Sequence, residues 1–65
     1  MVENRLKEIR MKEYMMSQTE FSAMLNIEYP QYNRYEKGVT PALETALKIS
    51  TRLNKPIEEI FILSK

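Results

Sequence analysis

An all-α fold, a compact five-helix bundle, is what this 65-residue sequence predicts, and three observations predict it. Apolar residues recur three and four positions apart in one segment after another, the spacing of a single helical face. The breaks between these segments carry residues that start and stop helices. No segment sustains an alternation of apolar and polar residues, so a sheet core is not expected. A chain this short buries only about 60% of its unfolded surface, which favours tight helical packing with short connections.

The first helix is expected over Asn4 to Tyr14, where Leu6 and Ile9 share a face among Arg5, Lys7, Glu8 and Lys12. Ser17-Gln18-Thr19-Glu20 is a capping box: the Ser17 hydroxyl accepts the N–H three residues on, and Glu20 reaches back to the Ser17 N–H. A helix therefore starts at Gln18, with Phe21, Met24 and Leu25 on one face, and ends at Asn26, a residue that tolerates the left-handed conformation. Ile27 opens the next segment, where Pro30 fits a first turn and Tyr32 and Tyr35 share a face. Gly38, the only glycine, stops that helix at Lys37. Thr40-Pro41 predicts an N-cap and first position for a fourth helix, with Leu43, Ala46, Leu47, Ser50 and Leu53 as its stripe and Asn54 as its end. Lys55-Pro56 opens a short fifth helix, with Glu58 and Glu59 in its first turn and Ile57, Ile60 and Phe61 on its buried side. Phe61-Ile62-Leu63 and Met1-Val2 are able to pair as two short terminal strands.

Composition excludes several function classes. The net charge is +1, from ten Lys+Arg against nine acidic residues, all of them Glu. Neither His nor Cys is present, which removes disulfides and nearly all transition-metal sites, and the lack of Asp removes a helical calcium loop. No metal or other cofactor is therefore expected. Ser17, Ser22, Ser50 and Ser64 have no evident activating base, so an enzyme is not expected either. Hydrophobic residues at 43% and charged residues at 29% suit an ordinary globular chain rather than a disordered one. There is no apolar run long enough for a membrane span, and Met1 to Arg5 lack the apolar stretch of a signal peptide. The expectation is one cytoplasmic domain over residues 1–65.

The informative unit runs from Gln18 to Lys37. Apolar residues fall at its fourth, eighth, tenth, fifteenth and eighteenth positions (Phe21, Leu25, Ile27, Tyr32, Tyr35), with small Ser22 at the fifth and Asn26 at the ninth. Two helices that cross steeply touch near one point, where a small side chain is needed, and their short turn needs one residue with positive φ. This pattern resembles the phage Cro/repressor-type (Xre-like) helix-turn-helix family. The resemblance also covers Asn-Arg-Leu-Lys-Glu-Ile-Arg, Ser-Gln-Thr-Glu-Phe, Asn-Arg-Tyr-Glu-Lys-Gly, Pro-Ala-Leu-Glu-Thr-Ala-Leu-Lys-Ile and the closing Leu-Asn-Lys-Pro-Ile-Glu-Glu-Ile-Phe, in that order. It implies a lambda-repressor-like DNA-binding domain. The sequence departs from the family's usual pattern by Asn26 for Gly, Ser22 for Ala, Pro30 in the DNA-facing turn and one extra residue before Ser17. Tyr32 is larger than the usual Ile or Val, so its hydroxyl must reach solvent or a partner.

The resemblance implies that the second helix of the unit, about 29–37, enters the major groove of double-stranded DNA with its N-terminal residues nearest the bases. Removing the core residues leaves Tyr29, Pro30, Asn33 and Arg34 facing DNA, with Gln31 on the edge. Arg34 is suited to guanine and Asn33 to adenine, while the Tyr29 ring suits a thymine methyl and its hydroxyl a base edge or phosphate. Gln18, Lys37 and Thr40 match family positions that hold phosphates, which fix register without reading sequence. Arg10 and Glu36 match a largely buried structural ion pair. The rival for Tyr29 is a solvated aromatic in a first turn, and without this frame a charged outer face is the better reading of Arg34 and Lys37.

One module contacts few base pairs, so a homodimer on a near-palindromic operator is expected, and Ile60, Phe61, Ile62 and Leu63 within 57–63 are the candidate contact. The rival is that these residues cap the monomer's own core. The function implied is a transcriptional regulator, a repressor, of a bacterium, phage or mobile element. The alternative is a helical protein-interaction module, antitoxin-like or anti-repressor, without DNA binding.

Overall fold

The computed structural model describes residues 1–64. Along the chain it contains β1 (Val2–Asn4), α1 (Leu6–Ile9), a π-helical turn (Arg10–Tyr14), α2 (Gln18–Leu25), α3 (Tyr29–Glu36), α4 (Leu43–Leu53), a 3-10 turn (Ile57–Glu59) and β2 (Phe61–Leu63). The core is closed by Leu6 and Ile9 of α1, Phe21 and Leu25 of α2, Tyr32 and Tyr35 of α3, Ile49 and Leu53 of α4, and Ile60. Tyr14, Phe21 and Tyr32 form an aromatic file through it, with ring centroids 5.2 and 5.6 Å apart.

Four α-helices are present among the described residues, one fewer than the expected five. The fifth shrinks to the 3-10 turn after Pro56 because strand pairing takes the backbone that follows. The Ile60 carbonyl accepts from the Arg5 N–H at 2.8 Å, and β1 and β2 then pair antiparallel with Val2 opposite Leu63, Glu3 opposite Ile62 and Asn4 opposite Phe61. The terminal pairing that the chain ends allowed is therefore formed, with Val2–Asn4 rather than Met1-Val2 as its first strand.

Chain reversals follow the punctuation closely. The Ser17 capping box is complete, and Asn26 and Asn54 both end their helices with left-handed φ values of 60° and 54°. Gly38 has φ 114° directly after Lys37, the last cap of α3. The exception is Met15, also left-handed at φ 51°, which ends the π-helical turn. The expected plain α-helix over Asn4 to Tyr14 instead starts at Leu6 and widens from Arg10 into a π-helical turn.

Two further expectations are corrected. Helix α4 is capped by Ala42 and starts at Leu43, so Thr40-Pro41 lies before it, with Pro41 buried and Thr40 exposed. Its inward face is Ala46, Ile49 and Leu53, while Leu43 (72% exposed) and Leu47 point outward. Leu43/Leu47 and Ile49/Leu53 are both apolar pairs at i, i+4, so periodicity alone did not fix which stripe is buried.

Candidate nucleic-acid interface

Helices α2 and α3 meet across the turn Asn26–Glu28. Buried Ser22 stands in this junction, its hydroxyl donating to the Thr19 carbonyl at 2.9 Å, and the Ile27 N–H closes the turn on the Ser22 carbonyl at 2.9 Å. The small side chain lets the helices approach, and left-handed Asn26 turns the chain so that α3 crosses α2 with Tyr32 and Tyr35 inward. The opposite face of α3 is left outside. Tyr29 is 42% exposed, Pro30 and Arg34 are exposed, and Gln31 and Asn33 are half-buried on the flanks.

One carboxylate organises this unit. Glu36, on the last turn of α3, accepts from Arg10 Nε at 2.8 Å and Nη2 at 3.3 Å, from Gln18 Nε2 at 2.8 Å, and from the Tyr32 hydroxyl. Arg10 also donates through Nη1 to the Met16 carbonyl at 2.9 Å, which ties the end of α1 and the following loop to the unit. The side chains of Arg10 and Glu36 are only 12% and 5% exposed. Burial pushes the Glu36 carboxyl up, but donation by Arg10, Tyr32 and Gln18 outweighs it and holds the group below the usual carboxylate range. Burial, reinforced by donation to Glu36, raises the Tyr32 phenol well above its ordinary value, so it stays a donor. The expected ion pair is thus present as the centre of a larger network, and Tyr32 has found the partner its size demanded.

The network reaches the outer face through Gln18. Its Oε1 accepts from the Tyr29 hydroxyl at 3.3 Å, so the chain Tyr29–Gln18–Glu36 runs from the exposed start of α3 to its buried end. On the same helix Arg34 Nη1 donates to Gln31 Oε1 at 3.3 Å, and Gln31 Nε2 donates to the Tyr35 hydroxyl at 3.1 Å. Arg34 keeps its remaining guanidinium donors for an external acceptor. Among the described residues, neither Arg34 nor Lys37 forms a salt bridge, whereas the carboxylate on their helix is already neutralised by Arg10. Arg34 and Lys37 are therefore unpaired cations on and just after α3, while exposed Glu28 at its N-cap carries the opposite charge. Lys37 and Thr40 are both exposed on either side of Gly38.

Sequence reasoning did not anticipate the roles of Gln18 and Asn4 within the protein. The Asn4 amide donates to the Tyr35 carbonyl at 2.8 Å, and its Oδ1 accepts from the Leu6 N–H at 3.1 Å. It thereby ties the terminal ribbon to α3 and occupies the first N–H of α1, whose N-cap is Arg5. The reach to Tyr35, 31 residues away, had no signal in the sequence. The candidate dimer residues separate. Ile60 is fully buried in the core and Phe61 packs against it, while Ile62 and Leu63 are exposed on the ribbon. Ile60 consequently has no surface to offer a partner.

No helix among the described residues is long and apolar enough to cross a membrane. A helix-turn-helix family model matches residues 6–60. No curated protein matches the chain. With the match covering most of its length, the chain belongs to the Cro/Xre-like helix-turn-helix family, a family of DNA-binding regulatory domains rather than of enzymes.

Proposed function

We propose that this helix-turn-helix regulator is a sequence-specific repressor that binds a near-palindromic operator as a homodimer in the cytoplasm. Helix α3 lies in the major groove. Arg34 and Tyr29 carry the base contacts with Asn33, Pro30 and Gln31 beside them, and Gln18, Lys37 and Thr40 hold phosphates. The observation that carries the reading is the outward face of α3 with its unpaired Arg34, fixed from behind by the Glu36 network. Groups held in one rotamer before binding lose less entropy on the duplex.

The homodimer contact falls to Ile62 and Leu63 on β2, next to Val2 of β1. A two-stranded ribbon leaves unpaired backbone along its outer edges, and exposed apolar side chains there suit pairing with a second copy. Two modules then address half-sites about 34–36 Å apart.

One observation favours the second reading, a protein-interaction module without DNA binding. Exposed Leu43 and Leu47 line a shallow groove of about 840 Å³ with Leu25, Ile27 and Tyr35. Selection of bound sites from random duplex DNA, followed by a salt titration, separates the two. Phosphate-anchored binding gives log affinity falling linearly and steeply with log salt. Failure to enrich any duplex sequence overturns the repressor reading in favour of the interaction module.

A further inference from the structure

The terminal ribbon and α3 are joined by a single side chain. Asn4, the last residue of β1, is half-buried with both ends of its amide in use: Oδ1 accepts from the Leu6 N–H at 3.1 Å, and Nδ2 donates to the Tyr35 carbonyl at 2.8 Å. An N–H must meet an oxygen and a carbonyl must meet a nitrogen, so these two partners fix which way the amide faces. Tyr35 lies in the last turn of α3, where main-chain carbonyls run out of intrahelical partners. Among the described residues this is the one hydrogen bond between the ribbon and α3. Phe61, opposite Asn4, also packs on the core, but apolar packing has no preferred direction, whereas a hydrogen bond does. Asn4 is thus the root of the ribbon. The other end pairs Val2 with Leu63, and exposed Leu63 and Ile62 lie there. A cleft lined by Val2, Asn4, Lys37 and Thr40 separates the ribbon from the end of α3.

We propose that Asn4 is a positioning residue that fixes the separation between the two half-sites a dimer reads, by setting the angle between the ribbon and α3. This role rests on the ribbon dimer and the DNA contacts proposed above and goes beyond them, because Asn4 touches neither the partner copy nor the duplex. In such a dimer the ribbon is each chain's joint to its partner, and α3 is the part that enters the groove. The angle between the two within one chain then sets the separation across the pair. One added base pair shifts the half-sites by about 3.4 Å along the duplex and about 34–36° around it. A stiff joint follows that displacement only by losing the Asn4 bond to Tyr35, and a loosened joint follows it at little cost.

The test compares the whole chain as wild type, Asn4→Asp and Asn4→Ala on duplexes carrying the half-site that wild type selects. The half-site is present once or twice, and the separation of the pair is changed one base pair at a time. Asn4→Asp keeps an oxygen for the Leu6 N–H but turns a second oxygen toward the Tyr35 carbonyl, so the joint opens while α1 keeps its bond. Wild type is expected to bind one separation best. In Asn4→Asp, affinity at that separation falls about two- to tenfold, the range of one ordinary hydrogen bond. Preference over separations one base pair longer or shorter falls by a similar factor, while affinity for a single half-site and the dimer seen in sedimentation stay unchanged. Asn4→Ala is expected to give the same pattern with a lower melting midpoint, since it also loses the Leu6 bond. A merely structural role lowers single and paired half-sites alike, and that result overturns the proposal. So does an unchanged separation preference in either variant, loss of the dimer in Asn4→Asp, or failure of both variants to fold. A wild type that binds paired half-sites no better than a single one overturns the ribbon dimer. A wild type that enriches no duplex overturns the DNA-binding reading, and the role of Asn4 falls with either.

Discussion

Replacing Glu36 by Ala tests the physical centre of the unit. The substitution removes the acceptor of three side chains at once and leaves the Arg10 guanidinium, 12% exposed, without its countercharge. Breaking a buried pair by removing one partner costs about 3–5 kcal/mol. A domain of 65 residues is stable by about 3–10 kcal/mol in total, so the loss is a large share of what holds it together. At about 4–8 °C per kcal/mol for a domain of this size, a loss of about 3 kcal/mol lowers the melting midpoint by about 12–24 °C. The assay is thermal unfolding followed by circular dichroism at neutral pH. The double variant Arg10→Met with Glu36→Leu fills the same space with apolar atoms and removes both charges, so it is expected to recover a good part of the loss. A midpoint lowered by less than about 4 °C in Glu36→Ala would refute the reasoning, because the network would then contribute no more than a surface pair.

Other outcomes follow from the same geometry. Glu36 has a folded-state pKa below its unfolded value, so its contribution is present above about pH 4.3 and disappears as pH falls through the folded pKa. Denaturant midpoints of wild type and Glu36→Gln are expected to differ at pH 7 and to converge toward pH 3; a constant gap would contradict this. Gly38→Ala meets no atom within 4 Å of the new Cβ but must hold φ 114°, so a loss of about 1–2 kcal/mol from backbone strain alone is expected in chemical denaturation. Met15→Gly reverses that logic: exposed Met15 sits at φ 51°, and relieving it is expected to raise stability by about 0.5–1 kcal/mol. Sedimentation at tens of micromolar is expected to give a dimer for wild type and a monomer for Ile62→Glu or Leu63→Glu, with a monomeric wild type counting against the ribbon contact.

The chain order of the helices was legible because its signals are local. A capping box acts within four residues, and Asn26, Gly38 and Asn54 each act on their own φ, so the chain states these stops regardless of what packs nearby. The helix-turn-helix spacing was legible for a related reason: Ser22, Asn26 and the inward Tyr32 and Tyr35 meet requirements set by two adjacent helices. The fate of the last helix depended instead on a partner at the other end of the chain, since β1 captures the backbone of Phe61 to Leu63 that would have continued it. The same holds for α4, where two apolar stripes competed and only the shape of the cavity left by α1 to α3 chose Ile49 over Leu47. Composition marked Arg10 and Glu36 as charges, and family resemblance paired them. That Gln18 and Tyr32 converge on the same carboxylate is a fact of side-chain reach across packed helices, which periodicity along one helix does not encode. Sequence by itself therefore determined where helices begin, end and turn, because those terms are local. Tertiary packing decided which face is buried and how the polar network is directed, because those terms sum contributions from distant segments of the chain.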